Sequence, residues 1–150
     1  MLNNKKKEMK TIFRFSICMV IMAITFMACG SDDTIGGKKE AKLSPPSWIH
    51  GSWGDEDGYV EVFRFTSNDI FQLGVSLKTI YGWTAGGAGV SIKETKNTSS
   101  LYEITITATD GKEKASAYYS FKKGDGNYIE AGWEETGDPI ASYEKLYKIK

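Results

Sequence analysis

From residue 48 onward the chain alternates apolar and polar positions with a period of two, in short runs separated by turn formers. The run Tyr59-Val60-Glu61-Val62-Phe63-Arg64-Phe65 is rich in β-branched and aromatic residues and lies between Asp57-Gly58 and Ser67-Asn68-Asp69. A shorter strand is predicted over 69–75, and an alternating one over 89–94. In 101–107, Tyr102, Ile104 and Ile106 share a face. Asp110-Gly111 is a hairpin signal. The strand after it, 115–122, puts Ala117, Tyr119 and Phe121 on one side. Gly124-Asp125-Gly126-Asn127 is a second turn, and 128–134 and 143–150 follow. A short strand near 51–53 brings the number to eight. Helical spacing occurs only in 75–83, where Leu77, Ile80 and Tyr81 form one short amphipathic turn. Eight consecutive strands joined mostly by tight turns predict an all-β, antiparallel up-and-down barrel, because a sheet that size otherwise exposes its edges.

The first 47 residues follow another pattern. Lys5, Lys6, Lys7, Lys10 and Arg14 precede an apolar run of fourteen residues, Phe15 to Ala28. A membrane-spanning helix needs about 20 apolar residues. A shorter run behind positive charge is the core of a signal peptide, here 1–28. Translation can begin at Met1 or at Met9, which opens a more compact signal. Phe26-Met27-Ala28-Cys29 resembles the lipobox of bacterial lipoproteins, with phenylalanine in place of the usual leucine. That resemblance implies diacylglycerol on the Cys29 thiol, and a lipid anchor with more than one acyl chain holds durably to a membrane. Ser31-Asp32-Asp33 is similar to the surface-export signal on lipoproteins of some Gram-negative anaerobes. It implies an outer-membrane lipoprotein exposed at the cell surface, with the periplasmic leaflet as the other location. Residues 29–47 are polar and glycine-rich, end in Pro45-Pro46, and are expected to form a flexible tether spanning roughly 20–25 Å. The folded domain is then 48–150.

A second resemblance covers that domain. The stretch Pro45-Pro46-Ser47-Trp48-Ile49-His50-Gly51-Ser52-Trp53 is similar to the opening of a lipocalin-like barrel, a proline turn followed by Gly-x-Trp on the first strand. The closing strands, with Tyr118-Tyr119-Ser120-Phe121 and Leu146-Tyr147-Lys148, resemble those of small lipocalin-like lipoproteins from gut anaerobes. The resemblance implies structural roles for Gly51 and Trp53: the indole closes the barrel floor and the glycine permits close approach. Lipocalins set an arginine from the last strand over that tryptophan. No arginine follows Arg64 here, so Lys148 or Lys150 has to take that place.

Charge and composition narrow the function. The whole chain has 19 basic and 19 acidic residues, but removing the signal segment leaves fourteen bases against eighteen acids. A mildly acidic surface does not suit nucleic acid. Cys18 lies in the signal segment and Cys29 is the acylation site, so the domain has no thiol for a disulfide, a metal or a nucleophile. His50 is the one histidine and has no suggested catalytic partners. Asp55-Glu56-Asp57-Gly58 lacks the spaced oxygens of a calcium loop. The glycine-rich 82–89 lacks the Lys-Ser/Thr of a phosphate loop. No enzyme activity, cofactor or metal is expected.

Aromatic residues remain. Residues 48–150 hold four Trp, eight Tyr and four Phe. Most would fill a small barrel, whose interior admits side chains or one small ligand. Tyr81 and Trp83, in the glycine-rich connection, are candidates to cover a mouth, with Tyr119 and Phe121 lining the interior. Two functions follow: a membrane-anchored binding domain for a small, partly apolar ligand, or a surface module with a packed core whose loops bind glycan or protein.

Overall fold

The computed structural model describes residues 41–81, 84–85, 88–110, 113–135 and 139–150. It is all-β. A 3₁₀ turn (Ser47–Ile49) leads into β1 (Gly51–Gly54), β2 (Glu61–Phe65), β3 (Ile70–Gln72) and β4 (Val75–Ser76). A single-turn helix, α1 (Leu77–Ile80), precedes β5 (Thr84–Ala85), β6 (Ala88–Asn97), β7 (Leu101–Asp110), β8 (Glu113–Lys123), β9 (Tyr128–Glu135) and β10 (Glu144–Lys148). All belong to one sheet in the order β4-β3-β2-β1-β10-β9-β8-β7-β6-β5. Every pairing is antiparallel, and each joins strands consecutive in the chain except β1 with β10, the first with the last.

That order is an up-and-down meander bent back on itself into a half-barrel. β2 and β8 stand four places apart in the sheet, yet their rings touch. Phe65 and Phe121 have centroids 5.0 Å apart and Phe63 and Phe121 5.1 Å apart, both edge-on. Edge-to-face pairs at this spacing are favourable beyond the area they bury. Among the described residues no ladder joins β4 to β5, which are the two edges of the sheet.

The runs anticipated as strands fall within one antiparallel sheet, in which β4 and β5 are two-residue pieces. The strand expected over 69–75 is divided by a tight turn at Leu73 and Gly74, both at positive φ, which returns the chain as β4. The strand expected from Tyr59 begins at Glu61, and Tyr59 itself is 90% exposed. In α1, the Ser76 hydroxyl accepts from the Thr79 N–H as an N-cap, and Leu77 and Ile80 are buried. The helix is a single turn and ends at Tyr81, whose ψ of 131° is extended.

Strand direction defines two ends. The lower end holds the turns 66–69, 98–100 and 124–127, the 3₁₀ turn and α1. Hydrogen bonds tie these together: the Trp48 indole donates to the Thr98 carbonyl (2.9 Å), and the Lys78 N–H donates to Asp69 (3.3 Å). The upper end holds the turns 55–60 and 73–74, the last residues of β7 and β9, and the first of β6, β8 and β10.

The flexible tether expected to run to residue 47 requires correction. From residue 41 the chain is part of the domain, with Ala41 and Leu43 buried in its core. Ser44 donates twice to the Glu94 carboxylate, from its N–H (2.5 Å) and its hydroxyl (2.9 Å). Asn97 donates back to the Ser44 carbonyl (2.8 Å). Apolar burial and a charge-assisted pair of hydrogen bonds outweigh the entropy of a short polar strap.

Candidate functional site

The inner face of β6 to β9 changes character from one end to the other. On β7 the inward residues are Tyr102, Ile104, Ile106, Ala108 and Asp110, read upward. On β8 they are Phe121, Tyr119, Ala117, Ala115 and Glu113. The lower positions are bulky and buried; Phe121, Tyr102 and Phe65 have almost no exposure. The upper ones are small and progressively uncovered: Ile106 and Ala117 are buried, Val90 and Ala108 are half-buried, and Ala115 is exposed. The lower half is filled by its own aromatic rings, and the upper half narrows to alanine and valine.

Where the two halves meet lies a polar pair. Gln72, on β3, is 4% exposed, and Tyr119, on β8, is 5% exposed. The Tyr119 hydroxyl donates across the interior to Gln72 Oε1 at 3.5 Å, a long contact. Gln72 Nε2 is buried with no hydrogen-bond partner. Burial pushes the Tyr119 phenol pKa up; the Gln72 hydrogen bond opposes that rise, and the negative charge of Glu135 adds to it. Trp133 stands directly opposite Tyr119 in the ladder and packs half-buried against the core. Three carboxylates occupy the upper inward positions: Asp110 opposite Glu113, and Glu135 opposite Ala117. Among the described residues no three of His, Cys, Asp and Glu converge on a metal position.

The anticipated site residues fall in different places. Phe121 is fully buried, stacked at 6.4 Å on both Tyr102 and Tyr119, and belongs to the filled lower half. Tyr119 sits at the boundary. Tyr81 caps α1 through its N–H to the Leu77 carbonyl and packs half-buried against the core. Trp83 and Cys29 lie outside the described residues. His50 bonds through Nε2 to the Pro45 carbonyl (2.8 Å), which fixes the approach to β1.

Trp53 is 2% exposed, and its indole donates to the Ile49 carbonyl (2.6 Å), locking the 3₁₀ turn onto β1. Lys148 Nζ lies 5.5 Å from the centroid of that ring, within cation–π range. Gly51 has φ +116°, and a Cβ there would come within 3.2 Å of the Lys148 stem, so glycine serves both the backbone and the lysine's path.

A second polar cluster lies on the outside. Gly132 is the gap that receives residues 140–143: a Cβ there would lie 2.6 Å from Ile140 and 3.1 Å from Tyr143. Through that gap the Tyr143 hydroxyl donates to Ser120 (3.2 Å), Ser120 donates to Glu103 (3.3 Å), and Lys122 lies 3.5 Å above the Tyr143 ring. Burial, then a hydrogen bond to Glu103, pushes the Tyr118 pKa up. The network is internally satisfied and fastens a loop.

Compared with family models, curated proteins and solved structures, the chain matches none.

Proposed function

We propose that this chain is a lipid-anchored, lipocalin-like binding protein that takes a small, partly apolar ligand at the upper end of its barrel. The observation that carries the reading is the taper of the inner face. Bulky rings fill the lower half, and the same strands continue upward with Ile106, Ala108, Ala115, Ala117 and Val90 facing inward and increasingly uncovered. A strand face that is apolar, small and open offers room to a ligand, where a face meant only for packing carries large side chains.

The finer architecture belongs to the same proposal. Eight principal strands in meander order, the first pairing with the last, and a lysine from the last strand over the Gly-x-Trp indole support a lipocalin-like barrel. Signal peptide 1–28, lipidation at Cys29 and display at the outer-membrane surface complete the reading, on the strength of the residue pattern alone.

The filled lower half favours the alternative of a surface module that binds glycan or protein through its loops. Titration separates the two. Naphthalene-type and sterol probes, and separately soluble glycans, are titrated against tryptophan fluorescence. Saturable binding of apolar probes that is lost on Ala115→Trp, which fills the upper half, supports the pocket. Glycan binding alone, unaffected by that variant, supports the surface module. Anchoring has its own test: Cys29→Ser is expected to abolish palmitate labelling and release the protein from membranes, and label retained on the serine variant refutes lipidation.

A further inference from the structure

The buried amide at the base of the tapered face has no reason to be there if the barrel encloses only itself. Gln72 and Ile70 are the inward residues of β3, and Ile70 is fully buried among apolar neighbours. A leucine at 72 would continue that core. Instead the position carries an amide of which one end reaches Tyr119 and the other, Nε2, is a buried donor without a partner. An unpaired buried donor is costly, and native folds retain few of them. Above it the inward side chains are apolar and small, and the inward positions at the top are acidic: Asp110, Glu113 and Glu135.

Building on the small-ligand reading above, we propose that the ligand is an uncharged apolar molecule bearing one hydrogen-bond acceptor, such as a carbonyl oxygen. Gln72 Nε2 donates to that oxygen, and the three carboxylates discriminate against fatty acids and other organic anions. The apolar body of the ligand lies along Ala117, Ile106, Ala108 and Val90. Its oxygen descends to the Gln72–Tyr119 pair, where the Tyr119 hydroxyl engages the amide oxygen and leaves Nε2 as the donor without a partner. Selection by such a site is strong against a molecule lacking the acceptor, because binding it leaves the donor unpaired. An anion meets three exposed negative charges on its way in, a repulsion that weakens as salt is added.

Three probes of nearly equal shape test this: 2-acetylnaphthalene, 2-ethylnaphthalene and 2-naphthoate. Each is titrated at pH 7 into the full-length protein in lipid nanodiscs, with empty nanodiscs as the blank. The ketone is expected to bind about tenfold more tightly than the hydrocarbon, the ratio that one net hydrogen bond supplies. Gln72→Met, close in shape but without the donor, is expected to erase that ratio by weakening the ketone and leaving the hydrocarbon unchanged. The naphthoate is expected to bind more weakly than the ketone and to recover on Glu135→Gln combined with Glu113→Gln. Equal binding of ketone and hydrocarbon to the unmodified protein overturns the role of Gln72 and leaves the small-ligand reading standing. That comparison needs no variant to fold. Naphthoate binding as tightly as the ketone overturns the exclusion of anions. Binding of none of the three overturns this inference and the pocket reading together, whereas binding of the hydrocarbon alone separates them.

Discussion

Removing the Trp53 indole is the sharpest test of how the lower end is held. The ring is 2% exposed, lies where β1 meets both β2 and β10, and donates its N–H to the Ile49 carbonyl at 2.6 Å. Trp53→Ala removes the largest fully buried side chain among the described residues and leaves a cavity, at a cost of about 3–5 kcal/mol. Trp53→Phe keeps most of the apolar volume and forfeits the hydrogen bond, stranding a buried carbonyl at about 1–3 kcal/mol. Lys148→Met keeps the stem and loses only the cation over the ring, at about 0.5–1 kcal/mol. With a urea dependence near 2 kcal/mol per molar, the alanine variant's midpoint is expected to fall by about 2 M. That is a large share of the ~5–15 kcal/mol that holds such domains. Urea unfolding followed by far-ultraviolet circular dichroism reads all three. An alanine midpoint within about 0.5 M of the unmodified protein would show that the indole does not bear on the core, and would remove the main support for a lipocalin-like floor.

Two further outcomes follow from buried groups. Leu43→Ala is expected to cost about 2–4 kcal/mol, because that side chain is 5% exposed within the core; no change in the urea midpoint would return residues 41–46 to the status of a free tether. Tyr102 is buried and its hydroxyl donates to Glu94 at 2.5 Å, and burial first and that carboxylate second push its pKa up. The fold therefore favours the neutral phenol: this contribution is fully present below the unfolded pKa of about 10 and is lost as pH rises above it. Stability measured from pH 8 to 11.5 is expected to fall above pH 10, with a shallower fall in Tyr102→Phe; parallel curves for the two proteins would refute the argument.

Much of the fold was legible because β periodicity is a local property. Leu101 to Thr107 alternates so regularly that inward Tyr102, Ile104 and Ile106 could be assigned from their spacing, and each is buried. The strap over 41–46 was not legible. Its polar, proline-ended composition is that of a linker, and what orders it is a carboxylate on β6, Glu94, fifty residues away. The break at Leu73 and Gly74 was obscured by a non-glycine residue at φ 49°, a conformation that spacing does not announce.

The site was less legible than the fold, for a related reason. Aromatic content drew attention to Phe121 and Tyr119, yet in a small barrel the largest rings are the ones that fill space first. Phe121 meets Phe63, Phe65, Tyr102 and Tyr119 and leaves nothing for a ligand to touch. The informative positions were those where the inward pattern weakens: Ala108 following Ile106, Ala115 preceding Ala117, and Gln72 where Ile70 leads one to expect an aliphatic residue. The proposed binding surface rests on side chains smaller than their neighbours below and on a polar atom left without a partner. Both are departures from a packing pattern, and they acquire meaning only once the register shows which side of the sheet each residue faces.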